Sequence, residues 1–413
     1  MNAPETLNHL AEAYVRLVLS LGLHDADYVD AYYGPPSLKT EAETGKLSLP
    51  EIVRKAREVH TRAGEFHNGG SDEMTRLRHR YIVRQLEAVI ARAEMLSGKH
   101  LTFDEESQAL YDAVAPTYPE SHFQNIMGQL EAILPGHGPV PPRFQQYKNQ
   151  FVVPGEKLDA VFQAAISEAR ARTQRHISLP PDESFVIEYV RGKSWSGYNW
   201  YKGNSHSLIQ MNTDFPIHID RAIDLASHEG YPGHHVYNAL LEKHLVRDRA
   251  WIEFTVYPLF SPQSLIAEGT ANFGIEVAFP GKQREDFEGQ TLFPLAGLDG
   301  SRAAEYYAVH NLYLKLNYAG NEAARGYLDG KISREDAVRW LVTYALYTPD
   351  RALQRTRFFD QYRSYVINYN LGQDLVERYI TSRGGTRENP QQRWSEFQAL
   401  LASPRLPSGL TAG

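Results

Sequence analysis

Residues 227–238 read Ser-His-Glu-Gly-Tyr-Pro-Gly-His-His-Val-Tyr-Asn. Three histidines, His228, His234 and His235, fall within eight residues, and Glu229 directly follows the first. In the zincin helix H-E-x-x-H, two histidines one turn apart share a face and bind one ion. The glutamate after the first histidine takes a proton from the metal-bound water. The stretch therefore predicts a metal site with Glu229 as its general base.

The spacing within this stretch predicts an interrupted helix. Position 232, where H-E-x-x-H requires the second histidine, is proline. His234 and His235 follow His228 by six and seven residues, and seven residues span about 10 Å along a straight helix, too far for one ion. Pro232-Gly233 is a suitable interruption, because proline removes a backbone donor and glycine permits a tight path. We expect either His234 or His235 to return to the metal. The other would contact a metal ligand or the substrate.

A carboxylate on a following helix is the expected third ligand, because the chain has no cysteine. Glu268 lies in a segment, residues 266–273, whose other members are apolar, small or uncharged. A charged side chain in such surroundings needs a partner. Glu276, about 80° around the same helix from Glu268, is a candidate to orient a metal-bound histidine from outside the ligand set.

Composition limits the classes of protein that the chain can represent. Its 413 residues are 42% hydrophobic and 23% charged, with a net charge of −7, which is typical of a soluble globular protein and argues against nucleic-acid or membrane partners. No apolar run reaches the ~18 residues of a membrane span. The first residues carry neither a basic nor an apolar leader segment, so the expected location is cytoplasmic.

Hydrophobic periodicity predicts a mainly α fold with a small β-sheet. Residues 1–178 carry helical apolar stripes and form a predicted helical region. Residues 179–413 form the predicted metal-site region, with a small sheet and further helices, and the two regions are expected to make one continuous structural unit. Strands are predicted over 185–190 and 207–212, with a turn between them. Helix starts are predicted at Asp220, Ser261-Pro262 and the capping box of Ser333 and Asp336.

The string His228-Glu229-x-x-Pro232-Gly233-His234-His235, followed by Glu268-Gly269-x-Ala271, resembles the bacterial domain-of-unknown-function family 885. That family is grouped with the gluzincin metallopeptidases of the MA clan. Residues 27–35 and the Tyr369-x-x-Gly372 segment extend the resemblance over most of the chain. The resemblance implies a largely helical fold and a Zn²⁺ ion held by His228, Glu268 and either His234 or His235. It also implies Glu229 as base and a peptide or small amide as substrate.

Further site residues follow from the same resemblance. In helical gluzincins a Tyr or His from the carboxyl-terminal part stabilises the reaction intermediate, and Tyr365 and Tyr369, four residues apart, are the candidates here. An edge strand before the metal helix binds substrate in gluzincins, which places the strand ending at Asn212 beside the substrate. Tyr198 is a candidate for the cleft wall. Arg363 is a candidate to bind a substrate carboxylate.

The favoured function is a zinc-dependent hydrolase of peptide or related amide bonds, and two alternatives stay open. Two histidines and one carboxylate also suit a non-haem iron oxygenase, although Glu229 beside the first ligand serves hydrolysis rather than oxygen chemistry. The interruption at Pro232-Gly233 leaves open a non-catalytic, metal-stabilised binding protein. Bound metal identity and the effect of replacing Glu229 separate the three.

Overall fold

Amphipathic helices form the amino-terminal part of the computed structural model, which describes residues 6–66 and 72–411. The apolar stripe of the first helix, including Leu10, Tyr14 and Val18, is fully buried. The Thr6 hydroxyl caps this helix by accepting from the His9 backbone N–H. The helices are α1 (Leu7–Leu21), α2 (Pro36–Gly45), α3 (Leu49–Glu65), α4 (Glu73–Leu96), α5 (Phe103–Tyr111), α6 (Glu120–Ile133), α7 (Val140–Lys148) and α8 (Leu158–Gln174). The prediction of a helical first half is confirmed.

Two small sheets accompany the helices. Their strands are β1 (Val29–Tyr32), β2 (Ser184–Val190), β3 (Gly197–Gly203), β4 (His206–Asn212) and β5 (Val256–Pro258). β1 pairs antiparallel with β5, and the second sheet has the order β2-β4-β3, with β2 parallel and β3 antiparallel to β4. Both strands predicted from the sequence are present as β2 and β4.

Two expectations about this sheet are wrong. The segment expected to be a turn contains β3, which forms a hairpin with β4 through Asn204 and Ser205. Both turn residues have positive φ, 54° and 58°, as two-residue hairpin turns require. Because β4 therefore has a neighbour on each side, it is a central strand and offers no free edge to a substrate. The edge next to the candidate site belongs to β3.

Helices dominate the carboxyl-terminal part, so the fold is mainly α with a small sheet, as predicted. They are α9 (Asp220–Leu225), α10 (His234–Leu241), α11 (Pro262–Ala278), α12 (Lys282–Phe287), α13 (Phe293–Ala296), α14 (Ala303–Leu314), α15 (Ala319–Leu328), α16 (Arg334–Tyr344), α17 (Pro349–Tyr362), α18 (Ile367–Ser382), α19 (Pro390–Leu401) and α20 (Ser408–Thr411). The predicted start of α11 after Ser261 and the capping box of Ser333 and Asp336 at α16 are both present. No described helix has the length and hydropathy that crossing a membrane requires.

Helix α11 lies at the centre of the fold and carries Glu268. It packs very closely against α18, because two glycines meet where the helices cross. A methyl group added at Gly269 would lie 2.4 Å from the backbone oxygen of Gly372. One cluster of buried apolar side chains extends from Leu7 to Leu410, and the β1–β5 pairing also joins the two predicted regions.

Candidate metal centre

The metal helix is interrupted where the sequence predicts it. After α9 the chain makes a π-helical turn over Ala226–Gly230, leaves the helix at Tyr231 and starts α10 at His234. The backbone N–H of Gly233 donates to the backbone oxygen of Ser227 at 2.9 Å, which closes the excursion. This path brings His234 back beside His228, whereas an unbroken helix would separate them.

Gly233 is the residue that permits this return. A Cβ at this position would lie 1.9 Å from the backbone oxygen of His228, inside any tolerable contact distance. We expect Gly233→Ala to lose metal binding and to lower the midpoint of thermal unfolding, because the backbone that carries His228 and His234 must shift. Elemental analysis and thermal unfolding measure both effects. Gly320→Ala is the matched control, since a Cβ there meets nothing within 4 Å. Wild-type metal content in Gly233→Ala would contradict this account.

Ligand atoms of His228, His234 and Glu268 form a compact cluster. The Nε2 atoms of His228 and His234 are 3.1 Å apart. The Oε2 atom of Glu268 is 3.2 Å from Nε2 of His228 and 3.6 Å from Nε2 of His234. Bonds of about 2.0–2.2 Å to a tetrahedral zinc ion place ligand atoms about 3.3–3.6 Å apart. The three atoms thus have close to the spacing of three corners of such a site.

The buried carboxylate oxygen of Glu268 supports this assignment. Glu268 is 6% exposed, and its Oε2 has no hydrogen-bond partner in the described part of the chain. Burial raises the pKa of Glu268, but the charges of His234 and His228 outweigh it and hold the pKa well below its ordinary value. An oxygen buried in this way is costly unless a cation satisfies it. The residues present therefore fit a divalent metal ion.

Histidine 228 is oriented by Asn272, one helical turn after Glu268. The Nδ1–H of His228 donates to Oδ1 of Asn272 at 2.9 Å. This hydrogen bond leaves Nε2 as the nitrogen that can bind a metal ion. The Asn272 amide in turn donates to the backbone oxygen of Tyr369 at 2.8 Å. Glu276, predicted for this role, lies one turn further along and instead pairs with Arg387 at 2.9 Å, so that prediction is wrong.

Substituting Asn272 and Glu276 separately tests which of them orients His228. We expect Asn272→Ala to weaken the binding of added zinc, used as the test metal, about 10–100-fold, the usual effect of losing a residue that orients a ligand. Glu276→Gln should leave the affinity unchanged, because its carboxylate pairs with the exposed Arg387 and not with His228. Competition with a chromogenic chelator measures both constants. Equal weakening in the two variants would show that Asn272 does not act through His228.

His235 does not reach the cluster, which corrects its inclusion among the candidate ligands. Its side chain is fully buried, with Nε2 3.0 Å from a carboxylate oxygen of Glu183 and Nδ1 2.9 Å from the Ser207 hydroxyl. Consecutive residues on α10 point about 100° apart, so only one of the pair can face His228 and Glu268. His234 does so, and His235 instead ties α10 to the sheet.

Glu229 lies beside the cluster without joining it. It is 4% exposed, and burial raises the pKa of its carboxyl group. Within residues 6–66 and 72–411 no group donates a hydrogen bond to this carboxylate. Strand β3 borders it closely, since a Cβ at Gly197 would lie 2.7 Å from Oε1 of Glu229, and the Asn199 amide donates to its backbone oxygen at 2.8 Å. The carboxylate is thus free to bind a water or a substrate group.

The two candidate tyrosines occupy different positions. The Tyr365 hydroxyl donates to Oε1 of Glu268 at 2.7 Å and so holds the ligand carboxylate in place. Tyr369 packs against it, with ring centroids 5.8 Å apart, but its half-buried hydroxyl has no partner among the described residues. Burial, together with the charge of Glu268, raises the pKa of Tyr369 well above its ordinary value. Its hydroxyl is therefore protonated and available as a donor.

The three residues predicted to contact the substrate occupy different positions in the structure. The Tyr198 hydroxyl donates to Asp30, and Tyr198 directly follows Gly197, the β3 residue that borders Glu229, so its role in the wall of the site stays a prediction. Asn212, at the end of β4, instead donates to the backbone oxygens of Lys193 and Trp195 in the loop between β2 and β3, at 3.1 and 2.9 Å. Arg363 is 2.6 Å from Glu106 in an ion pair, so it is not available for a substrate carboxylate and that prediction is wrong.

Sequence reasoning missed Asn272, Asp30 and Arg355. Asn272 had a usable signal, since it lies four residues after Glu268 and therefore on nearly the same helix face. Asp30 lies in the segment over residues 27–35 that carries part of the family resemblance, but nothing local places it near residues 228–268. Arg355 is one of several arginines on α17, and only the tertiary structure shows that its guanidinium carbon lies 5.8 Å from the centroid of the Tyr369 ring.

Comparison with known proteins identifies fold relatives only. No family model matches the chain, so membership of family 885 stays a prediction. No curated protein matches it.

Seven chains of solved structures match. A candidate lipoprotein from Colwellia psychrerythraea aligns over 90% of this chain and 71% of its own, with 15% identity and a TM-score of 0.53. A structure named BsuCP covers 98% and 89%, with 11% identity and a TM-score of 0.50. An M32 carboxypeptidase from Deinococcus radiodurans R1 covers 98% and 92%, with 12% identity and a TM-score of 0.45. The first two share the fold of this chain. The cytoplasmic location expected from the sequence stays a prediction.

Proposed function

We propose that this chain is a zinc-dependent hydrolase that cleaves peptide or related amide bonds, with Glu229 as general base. One observation carries the proposal. Ligand atoms of His228, His234 and Glu268 lie 3.1–3.6 Å apart, next to a buried carboxylate that has no hydrogen-bond donor among the described residues. Three protein ligands and a free carboxylate are the donor set of a hydrolytic zinc site rather than a purely structural one.

The chemistry divides between the ion and the chain. Zinc held by these three side chains would keep one position open, acidify a bound water and polarise the scissile carbonyl. Glu229 accepts a proton as the water oxygen attacks the carbonyl carbon, and then gives it to the amide nitrogen as the C–N bond breaks. The products are a carboxylic acid and an amine, and Glu229 ends in its starting state. Burial raises its pKa, which favours this uptake of a proton.

The two tyrosines support different steps. Tyr369 donates its hydroxyl hydrogen to the oxygen on which negative charge develops, because that hydroxyl is protonated and unpartnered in the described structure. Tyr365 acts through Glu268, whose other oxygen it holds at 2.7 Å, so it is a positioning residue. Asn272 positions His228 in the same sense.

Metal content and cleavage measured together test the proposal. Purified wild type, His228→Ala, Glu268→Ala and the half-exposed control His244→Ala are analysed for metal and, after loading with zinc, for hydrolysis of a peptide library. We expect about one zinc per chain in wild type and in the control, none in the two ligand variants, and cleavage only where zinc is bound. Iron without hydrolysis would replace the proposal by the oxygenase. Zinc without cleavage of any library member would favour a metal-stabilised binding protein.

A further inference from the structure

Asp30 is an unpaired anion in the wall of the candidate site. It lies on β1, is half-buried, and accepts a hydrogen bond from Tyr198. Burial raises its pKa to about 6, with Tyr198 and His234 opposing that shift and Glu268 and Glu229 adding to it. Tyr198 follows Gly197 on β3, and a Cβ at Gly197 would lie 2.7 Å from Oε1 of Glu229, so Asp30 lies in the surroundings of the candidate site.

The lack of a cation at Asp30 is unusual for this protein. Several of its buried carboxylates are neutralised by an arginine or lysine within 3.0 Å, namely Glu253 by Arg78, Asp25 by Arg92, Asp220 by Lys148 and Glu106 by Arg363. No lysine or arginine in the described ranges pairs with Asp30. Its surroundings therefore suit a cation supplied from outside the chain.

Arg355 is a cation without an anionic partner among the described residues, and it lies beside Tyr369. It is half-buried on α17, with its guanidinium carbon 4.1 Å from the ring centroid of Phe358 and 5.8 Å from that of Tyr369. Outside these ring contacts, no residue that the structure describes pairs or hydrogen-bonds with it. Tyr369 in turn packs against Tyr365, whose hydroxyl donates to Glu268, so Arg355 lies on the Tyr369 side of the cluster.

These two charges do not neutralise each other, since Asp30 and Arg355 form no ion pair. We propose that the cleft binds a zwitterionic substrate, with an ammonium group at Asp30 and a carboxylate at Arg355. This inference rests on the proposed hydrolase function and names its substrate class, which is a short peptide with both ends free or a comparable amino-acid conjugate. Arginine suits the second role because its planar fork binds a carboxylate through two parallel hydrogen bonds. Arg363 cannot replace it, because Glu106 already occupies it.

A library of di-, tri- and tetrapeptides prepared in four forms tests the inference. The forms are unblocked, N-acetylated, C-amidated and blocked at both ends. With zinc-loaded wild type we expect each blocked end to lower kcat/KM about 10-fold or more, because each removes a charge-assisted hydrogen bond.

Two variants separate the contributions of the two ends. Asp30→Asn can still accept from Tyr198 but should no longer distinguish free from acetylated amino ends, while it keeps the preference for a free carboxylate. Arg355→Gln should show the reverse pattern. Arg357→Gln, at an exposed position on the same helix, is the control and should behave as wild type.

The outcomes separate this inference from the hydrolase proposal. Equal cleavage of all four forms would overturn the inference and leave the hydrolase standing. If no form is cleaved, the hydrolase proposal fails, and calorimetric binding of the same unblocked and doubly blocked peptides to the zinc-loaded protein decides the inference. Tighter binding of the unblocked peptides that both Asp30→Asn and Arg355→Gln weaken would support it. Equal binding of both forms would overturn it.

Discussion

Replacing Glu229 with glutamine should lower the rate of peptide hydrolysis by about 10²–10⁴-fold, the usual contribution of a general base. Glutamine has nearly the same shape but cannot accept the proton of the attacking water. Because the Glu229 carboxylate lies outside the three-atom cluster, zinc binding should be unaffected. Steady-state kcat and zinc content, measured on the same preparation, separate the chemical step from assembly of the site.

A matched control makes this result specific. Glu276→Gln is the same chemical change on α11, where the carboxylate pairs with Arg387, and it should retain full activity and full zinc content. Wild-type rates in Glu229→Gln would remove the general-base role. A joint loss of zinc and activity would instead mean that Glu229 helps to hold the metal.

The fold was predictable where the hydrophobic pattern is local. The apolar stripes of α1, α4 and α8, the capping box at α16 and the strands β2 and β4 all follow from residue spacing of at most a few turns. The strand β3 was missed because its aromatic and glycine-rich residues also suit a turn. Its assignment depends on the pairing with β4, and that pairing makes β4 central rather than an edge.

The candidate site was predictable as a set of residue types but not in its connections. His228, Glu229 and Glu268 follow from the chemistry that zinc requires, and the helix interruption follows from the position of Pro232. The choice between His234 and His235 did not follow, because it depends on the rotation of α10 after the excursion through Gly233.

Electrostatic partners were even less predictable. Whether Arg363 or Arg355 is available is decided by Glu106, which is about 250 residues away in sequence and adjacent in space. In the same way, Asp30 on β1 meets Tyr198 on β3 across 168 residues of sequence. Contacts between distant segments leave no periodic signal in a single sequence.

The neighbouring histidines His234 and His235 should give opposite results when each is replaced with alanine. His234→Ala removes one corner of the cluster, so zinc should be lost while the metal-free protein unfolds at close to the wild-type denaturant concentration. His235→Ala should keep zinc but destabilise the metal-free protein by about 1–3 kcal/mol, because buried groups of Glu183 and Ser207 lose their partner.

Chemical unfolding with and without zinc measures both effects. A metal that binds only the folded state raises the free energy of unfolding in proportion to the logarithm of its concentration over the dissociation constant. Added zinc should therefore stabilise wild type and His235→Ala by similar amounts and leave His234→Ala unchanged. The reverse pattern, with zinc stabilising His234→Ala alone, would assign the ligand to His235 and require α10 to turn by about one residue when the metal binds.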